Sequence, residues 1–305
     1  MTTPETSTSI QPTQPAHHPI HPNTTLGPVS LTVAQLDRSL AFYQERLGFQ
    51  VHQLTDNMAR LGAGGPDILV LTEQPGARHV RGTTGLYHFA VLVPSRLELA
   101  RTLRRLAETR TPLQGFADHL VSEAIYLADP DGNGIEIYRD RPRAEWVYEP
   151  NQQIRMASDP LDIEGILDEL NGHDEPWSGL AAGTKLGHMH LHVAHLDDTK
   201  HFYVDILGFD LMARFGPSAL FVSAGGYHHH IGLNTWAGVG APPPPADAAG
   251  LRDFVVLLPN QAELERVLER VRGAGIATEE TPAGILVRDP SRNGIVLAAK
   301  EVTKE

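Results

Sequence analysis

The chain has 305 residues, a formal net charge of −12 at pH 7 and no cysteine. Its length suits two domains, the acidic balance without a basic cluster argues against a nucleic-acid partner, and the lack of cysteine excludes disulfides and thiolate sites. No apolar run approaches the roughly 20 residues that a membrane helix needs and no signal peptide is visible, so a soluble cytoplasmic protein is expected.

Residues 1–24 are rich in Thr, Pro and His without an apolar core segment, which predicts a disordered tail. From Leu26 an alternating strand gives way near Leu36 to an amphipathic helix that ends at the glycine of Leu47-Gly48-Phe49, a natural C-cap, and strands follow. The same order restarts at Gly85, with a helical pattern over 96–107 and strands to Tyr138. A connector over 141–184 holds Trp146 and a short helix expected over 162–170. Leu26-Gly27, Phe42-Tyr43 and Leu47-Gly48-Phe49 then recur as Leu186-Gly187, Phe202-Tyr203 and Leu207-Gly208-Phe209, at a constant offset of 160 residues. This internal repeat divides the chain into domains at 25–140 and 185–300. A fourth unit begins at Gly250 and closes on Ile295-Val296-Leu297, so the chain reads as four βαβββ modules, an α+β fold.

The stretch from His119 to Tyr138 carries the strongest chemical signal. Asp129-Pro130-Asp131-Gly132-Asn133-Gly134 is a turn, and the return strand puts Ile135 and Ile137 on one face and Glu136 on the other. A carboxylate held out of water needs a partner or a metal, unless the strand is an edge that faces solvent. The repeat lets the same position be read in each module. The first strands carry Pro28, His88, His188 and Asp253, and the last-strand carboxylate of module two, Glu136, becomes Val296 in module four. Strand histidines are more often satisfied core groups than ligands. Retention in the middle modules alone nevertheless selects His88, Glu136 and His188, the two imidazoles and one carboxylate of non-haem Fe(II) oxygenases. Residues 225–236 place three histidines together; read as a strand, His228 and His230 share a face and His229 takes the other.

The Asp-Pro-Asp-Gly-Asn-Gly-Ile-Glu motif and the four-module layout resemble the vicinal oxygen chelate superfamily, over nearly everything from Leu26 to Lys300. That superfamily includes glyoxalase I, bleomycin-resistance proteins and type I extradiol dioxygenases. The resemblance implies two open mixed β-barrels of two modules each, with a metal inside. It is most like the extradiol enzymes, which implies catechol 2,3-dioxygenase-like cleavage of a small aromatic diol by O2, with Fe(II), or Mn(II) as the alternative metal. Those enzymes carry a His pair before an Ile-small-Leu, its second member being the acid–base group; matching Ile231-Gly232-Leu233 leaves His229 or His230. His229 is chosen because it faces away from its neighbours. A family tyrosine ten residues before the metal Glu falls on Tyr126. His119 stands near a family histidine at shifted spacing. His190 and His192 share the face of His188, as pocket-lining groups or substitute ligands, and Tyr227 and Trp236 are candidate walls for an aromatic substrate. The chain departs from the family in module four, where Asp253 and Val296 replace both ligands. The active barrel is therefore expected from modules two and three, paired within one chain through the long connector or across a swapped homo-oligomer. The rival readings are a glyoxalase-like isomerase or lyase, whose additional carboxylate is not seen at Pro28 or Ile68, and a metal-free binding protein of the bleomycin-resistance kind.

Overall fold

The structure, a computed structural model, describes residues 18–150 and 153–300. Each module supplies four strands, as the alternation predicts. Module one gives β1 (Thr25–Val33), β2 (Gln50–Leu54), β3 (Met58–Gly62) and β4 (Asp67–Glu73). Module two gives β5 (Gly85–Leu92), β6 (Leu113–Asp118), β7 (Ser122–Ala128) and β8 (Gly134–Asp140). Module three gives β9 (Lys185–His192), β10 (Asp210–Phe215), β11 (Ala219–Ser223) and β12 (Ile231–Asn234). Module four gives β13 (Gly250–Leu258), β14 (Glu279–Thr281), β15 (Gly284–Arg288) and β16 (Gly294–Ala299).

The helix of module two, Arg96–Glu108, buries Leu99, Ala100, Leu103 and Leu106, and that of module four, Gln261–Gly273, buries Leu264, Val267, Leu268 and Val271. This is the spacing of one helical face. Both start on a side-chain cap, Ser95 Oγ accepting from the Glu98 N–H and Asn260 Oδ1 from that of Glu263. In modules one and three the α-helix is shorter than the sequence suggests. Leu36–Ala41 and Leu196–Lys200 continue as the wider π turns Phe42–Arg46 and His201–Ile206. Those turns carry Tyr43 and Tyr203, whose hydroxyls donate to the buried carboxylates of Asp129, at 2.9 Å, and Asp289, at 3.2 Å. Asp129 also accepts from the backbone N–H groups of Asp131 and Asn133. The first carboxylate of the Asp-Pro-Asp-Gly-Asn-Gly motif thus holds the turn closed and ties module two to module one.

Two eight-stranded mixed sheets result, ordered β10-β11-β12-β9-β5-β8-β7-β6 and β14-β15-β16-β13-β1-β4-β3-β2. In the first, β5 and β9 meet antiparallel, with Ala90 opposite His188 and His88 opposite His190. In the second, β1 and β13 meet, with Ser30 opposite Asp253. Each sheet takes one module from each half of the repeat, so 25–140 and 185–300 mark the repeat and not the sheets. Modules two and three pair within one chain. The connector packs Trp146 and Ile154 with Val121 and Met212, and its helix, Ile163–Asp168, is shorter than the expected 162–170.

Of the tail expected over 1–24, residues 1–17 lie outside the described residues. From His18 onward the expectation fails: Ile20 is buried in the core and its N–H donates to Gly208 O at 2.7 Å. No helix among the described residues is long and apolar enough to cross a membrane.

Candidate active site

The neighbouring strands β5, β8 and β9 place His88, Glu136 and His188 around one buried point. Their ligand atoms all lie within 4.8 Å of one another. Glu136 Oε2 accepts from or faces both rings, 3.2 Å from His188 Nε2 and 3.0 Å from His88 Nε2. His88 Nε2 and Glu136 Oε1 are both shut off from solvent without a hydrogen-bond partner. Unpaired buried polar atoms are costly unless something else pairs them. Burial raises the Glu136 carboxyl, but the His188 and His88 rings outweigh it and hold it well below the usual carboxylate range. Burial lowers His88 below the ordinary imidazole value. Two nitrogen donors and a carboxylate, dry and convergent, fit a divalent metal ion.

Gly134 makes this approach of β8 to β5 possible, since a Cβ there would stand 2.0 Å from Tyr87 O. Gly187 does the same for Tyr138, whose hydroxyl would lie 1.9 Å from an added Cβ. Tyr138 is buried and cannot swing away, so Gly187→Ala is expected to lower stability by about 1–3 kcal/mol through overpacking. Denaturant unfolding of the two proteins measures it.

These three residues floor a cavity of about 340 Å³. Tyr126, His119 and His229, all expected from the sequence, line it. His119 Nδ1 lies 2.6 Å from Ala157 O, which only accepts, so Nδ1 carries the proton. His119 Nε2 is then the acceptor of the Tyr126 hydroxyl at 2.6 Å. Burial, with the Glu136 charge second, raises the Tyr126 phenol well above its ordinary value. His229 Nδ1 is 2.8 Å from His228 Nδ1. Burial and the rings of His188, His228 and His190 hold His229 well below the usual imidazole range.

The histidine run departs from the expected strand. Strand β12 starts only at Ile231, and Gly225 and Gly226 turn the chain at φ of 61° and 67°. The three side chains consequently leave in three directions. His229 enters the cavity, His228 reaches Asp140, and His230 Nδ1 accepts from the Ala224 N–H at 3.2 Å. Burial lowers His230 to about 3.

Two expected wall residues are displaced from the cavity. Tyr227 is turned away at the same glycines and donates to Asp140. His192, at the end of β9, sits 2.7 Å from Asn234 Oδ1 and faces a neighbouring hollow. His190 and Trp236 do line the cavity, their rings 5.3 Å apart, and His190 stays outside the ligand group. Strict alternation hid Tyr87, which also lines it. A register shift between Leu86 and His88 lets its ring stand 5.0 Å from both His88 and His190. The sequence reading also missed Met156, which the connector lays against the cavity, and Asp140 and His228 behind it. In the other sheet Pro28, Asp253 and Val296 hold the equivalent positions, and no comparable ligand group occurs there among the described residues.

Residues 25–137 and 185–297 each match the family described as the Glyoxalase/Bleomycin resistance protein/Dioxygenase superfamily. A Bacillus subtilis (strain 168) protein named catechol-2,3-dioxygenase is 50% identical over 275 residues, covering 89% of this chain and 95% of its own. Among solved structures, glyoxalase I from Zea mays has a TM-score of 0.54 at 17% identity, covering 90% of this chain and 92% of its own. The cppA protein from Streptococcus pneumoniae TIGR4 has a TM-score of 0.51 at 15% identity, covering 90% and 100%. These two likenesses speak for the fold alone. With the repeat, the paired sheets and the half-identical relative in agreement, the chain belongs to the Glyoxalase/Bleomycin resistance protein/Dioxygenase superfamily, as an oxidoreductase of its dioxygenase kind.

Proposed function

We propose that the chain is an extradiol dioxygenase: it opens a catechol ring beside the diol and inserts both atoms of O2, using Fe(II), or alternatively Mn(II), held by His88, Glu136 and His188. The observation that carries this reading is the convergence of three dry ligand atoms on a cavity that His229 also lines. The half-identical relative is named for the same reaction. A metal held there would bind the diol and O2 together and relay electrons from the diol to O2, with no net change in its own oxidation state.

The chain's own residues handle binding and protons. His229, uncharged in its buried setting, takes a phenolic proton on the nitrogen left free by His228 and returns it later. Tyr126 spends its proton on His119, so it meets the substrate as an acceptor for a hydroxyl. Phe116, Phe221, Met156 and Trp236 give the rest of the cavity an apolar wall suited to an aromatic ring.

A glyoxalase-like isomerase would need a second carboxylate, and among the described residues lining the cavity Glu136 is the only one. A metal-free binding protein would leave the same three groups buried and poorly paired. No lysine or arginine occurs among the described lining residues, which favours substrates without an anionic ring substituent. Burying an unpaired carboxylate should lower kcat/KM for 3,4-dihydroxybenzoate by about 100-fold or more relative to catechol or 4-methylcatechol. Equal turnover of the acid would remove this substrate class.

The test of the reaction is anaerobic loading with Fe(II), addition of catechol, and exposure to air. The yellow 2-hydroxymuconic semialdehyde should form with stoichiometric O2 uptake. Formation of muconate, or no O2 uptake by iron-loaded protein, would refute the reading.

A further inference from the structure

Behind His229 the fold holds two groups, Asp140 and His228, that do not line the substrate cavity. Asp140 lies on the same face of β8 as Glu136 and Tyr138, by the period-two alternation of the strand. Its Oδ1 is 2.8 Å from His228 Nε2. His228 is completely buried, and its Nδ1 is 2.8 Å from His229 Nδ1. Two nitrogens at that distance share one proton, and which ring owns it decides what His229 presents to the cavity.

A carboxylate only accepts, so His228 Nε2 carries a proton. A neutral His228 then has a lone pair on Nδ1, and His229 must donate its Nδ1–H. The His229 lone pair is thereby left on Nε2, the nitrogen that can take a phenolic proton. The opposite arrangement puts an N–H on both nitrogens of His228 and turns an N–H of His229 toward the substrate, where the reaction needs a lone pair. We propose that Asp140, acting through His228, is a positioning residue that fixes His229 in the Nδ1–H tautomer. The proposal deepens the dioxygenase reading of the same cavity.

The surroundings hold this chain in place. The Tyr227 hydroxyl donates to Asp140, at 3.1 Å from Oδ1 and 3.0 Å from Oδ2, so the Tyr138 hydroxyl, 2.7 Å from that of Tyr227, is the donor between them. Two hydrogen-bond chains therefore end on one carboxylate, one from His229 and one from Tyr138. Trp146 of the connector packs its ring 5.4 Å from that of His228 and closes the far side.

Long-range 1H–15N correlation spectra of the imidazole rings test the proposal on the metal-free protein, with the two rings assigned from His228→Gln and His229→Gln. The wild type should show His229 protonated on Nδ1 and His228 on Nε2. In Asp140→Ala both rings should become tautomeric mixtures. With Fe(II) loaded, kcat should fall by about 10- to 100-fold while KM and iron content hold. Asp140→Asn keeps an acceptor oxygen and should restore the tautomers and most of the rate. A wild-type His229 protonated on Nε2, a doubly protonated His228, or unchanged rings and rate in Asp140→Ala would each overturn the proposal. The expected ring spectra in a wild type that opens no catechol would support the positioning chain and refute the dioxygenase reading.

Discussion

Glu136→Gln is expected to weaken Fe(II) binding by at least about 100-fold, leaving protein purified after anaerobic loading essentially iron-free. Glu136 is the only carboxylate among the described residues lining the cavity, and its two imidazole neighbours carry no compensating negative charge. The amide is the same size and makes hydrogen bonds, so the fold should persist. Val296→Glu is the companion experiment. It restores a carboxylate at the equivalent position of the other sheet, where Asp253 and Pro28 stand at the two positions that hold imidazoles in modules two and three. No iron should be gained. Metal analysis by emission spectrometry decides both, and full iron occupancy in the Glu136 variant would mean that the site lies elsewhere.

His229→Ala should keep its iron and still bind catechol, yet turn over about 10² to 10⁴ times more slowly, the usual worth of a positioned acid–base group. The reason is geometric. His229 packs its ring 4.1 Å from that of His188 but lies outside the ligand group, with Nδ1 already engaged by His228. His88→Ala and His188→Ala should instead lose metal and activity together. Single-turnover kinetics on iron-loaded protein separate the cases. An iron-free His229 variant would make that ring a ligand, and a variant as fast as the wild type would leave it no proton to move.

Much of this arrangement can be read in the sequence because a β-strand writes its two faces into alternate residues. The repeat turned that code into an internal comparison, in which His88 and His188 stand out against Pro28 and Asp253, and Glu136 against Val296. The pairing of modules two and three follows from the same comparison, since ligands kept only in those modules must meet. What alternation does not encode is where a strand stops. The Gly225-Gly226 turn ends the pattern before the histidine run, so Tyr227 lands behind the cavity and His228 reaches across to a carboxylate 88 positions earlier. A register shift brings Tyr87 into the cavity against its period. The connector's pattern carries no sign of the cavity, yet Met156 and Ala157 form part of its wall, and the Ala157 carbonyl fixes the tautomer of His119. Contacts of this kind depend on tertiary packing between segments with no shared local pattern.

Anomalous diffraction at the iron edge from crystals loaded anaerobically with Fe(II) tests the placement of the chemistry most directly. The account predicts one strong peak per chain, within bonding distance of His88 Nε2, Glu136 and His188 Nε2, and none beside Asp253 and Val296. A peak in the sheet of modules one and four, or a density-free site between the three ligands in iron-loaded crystals, would contradict it.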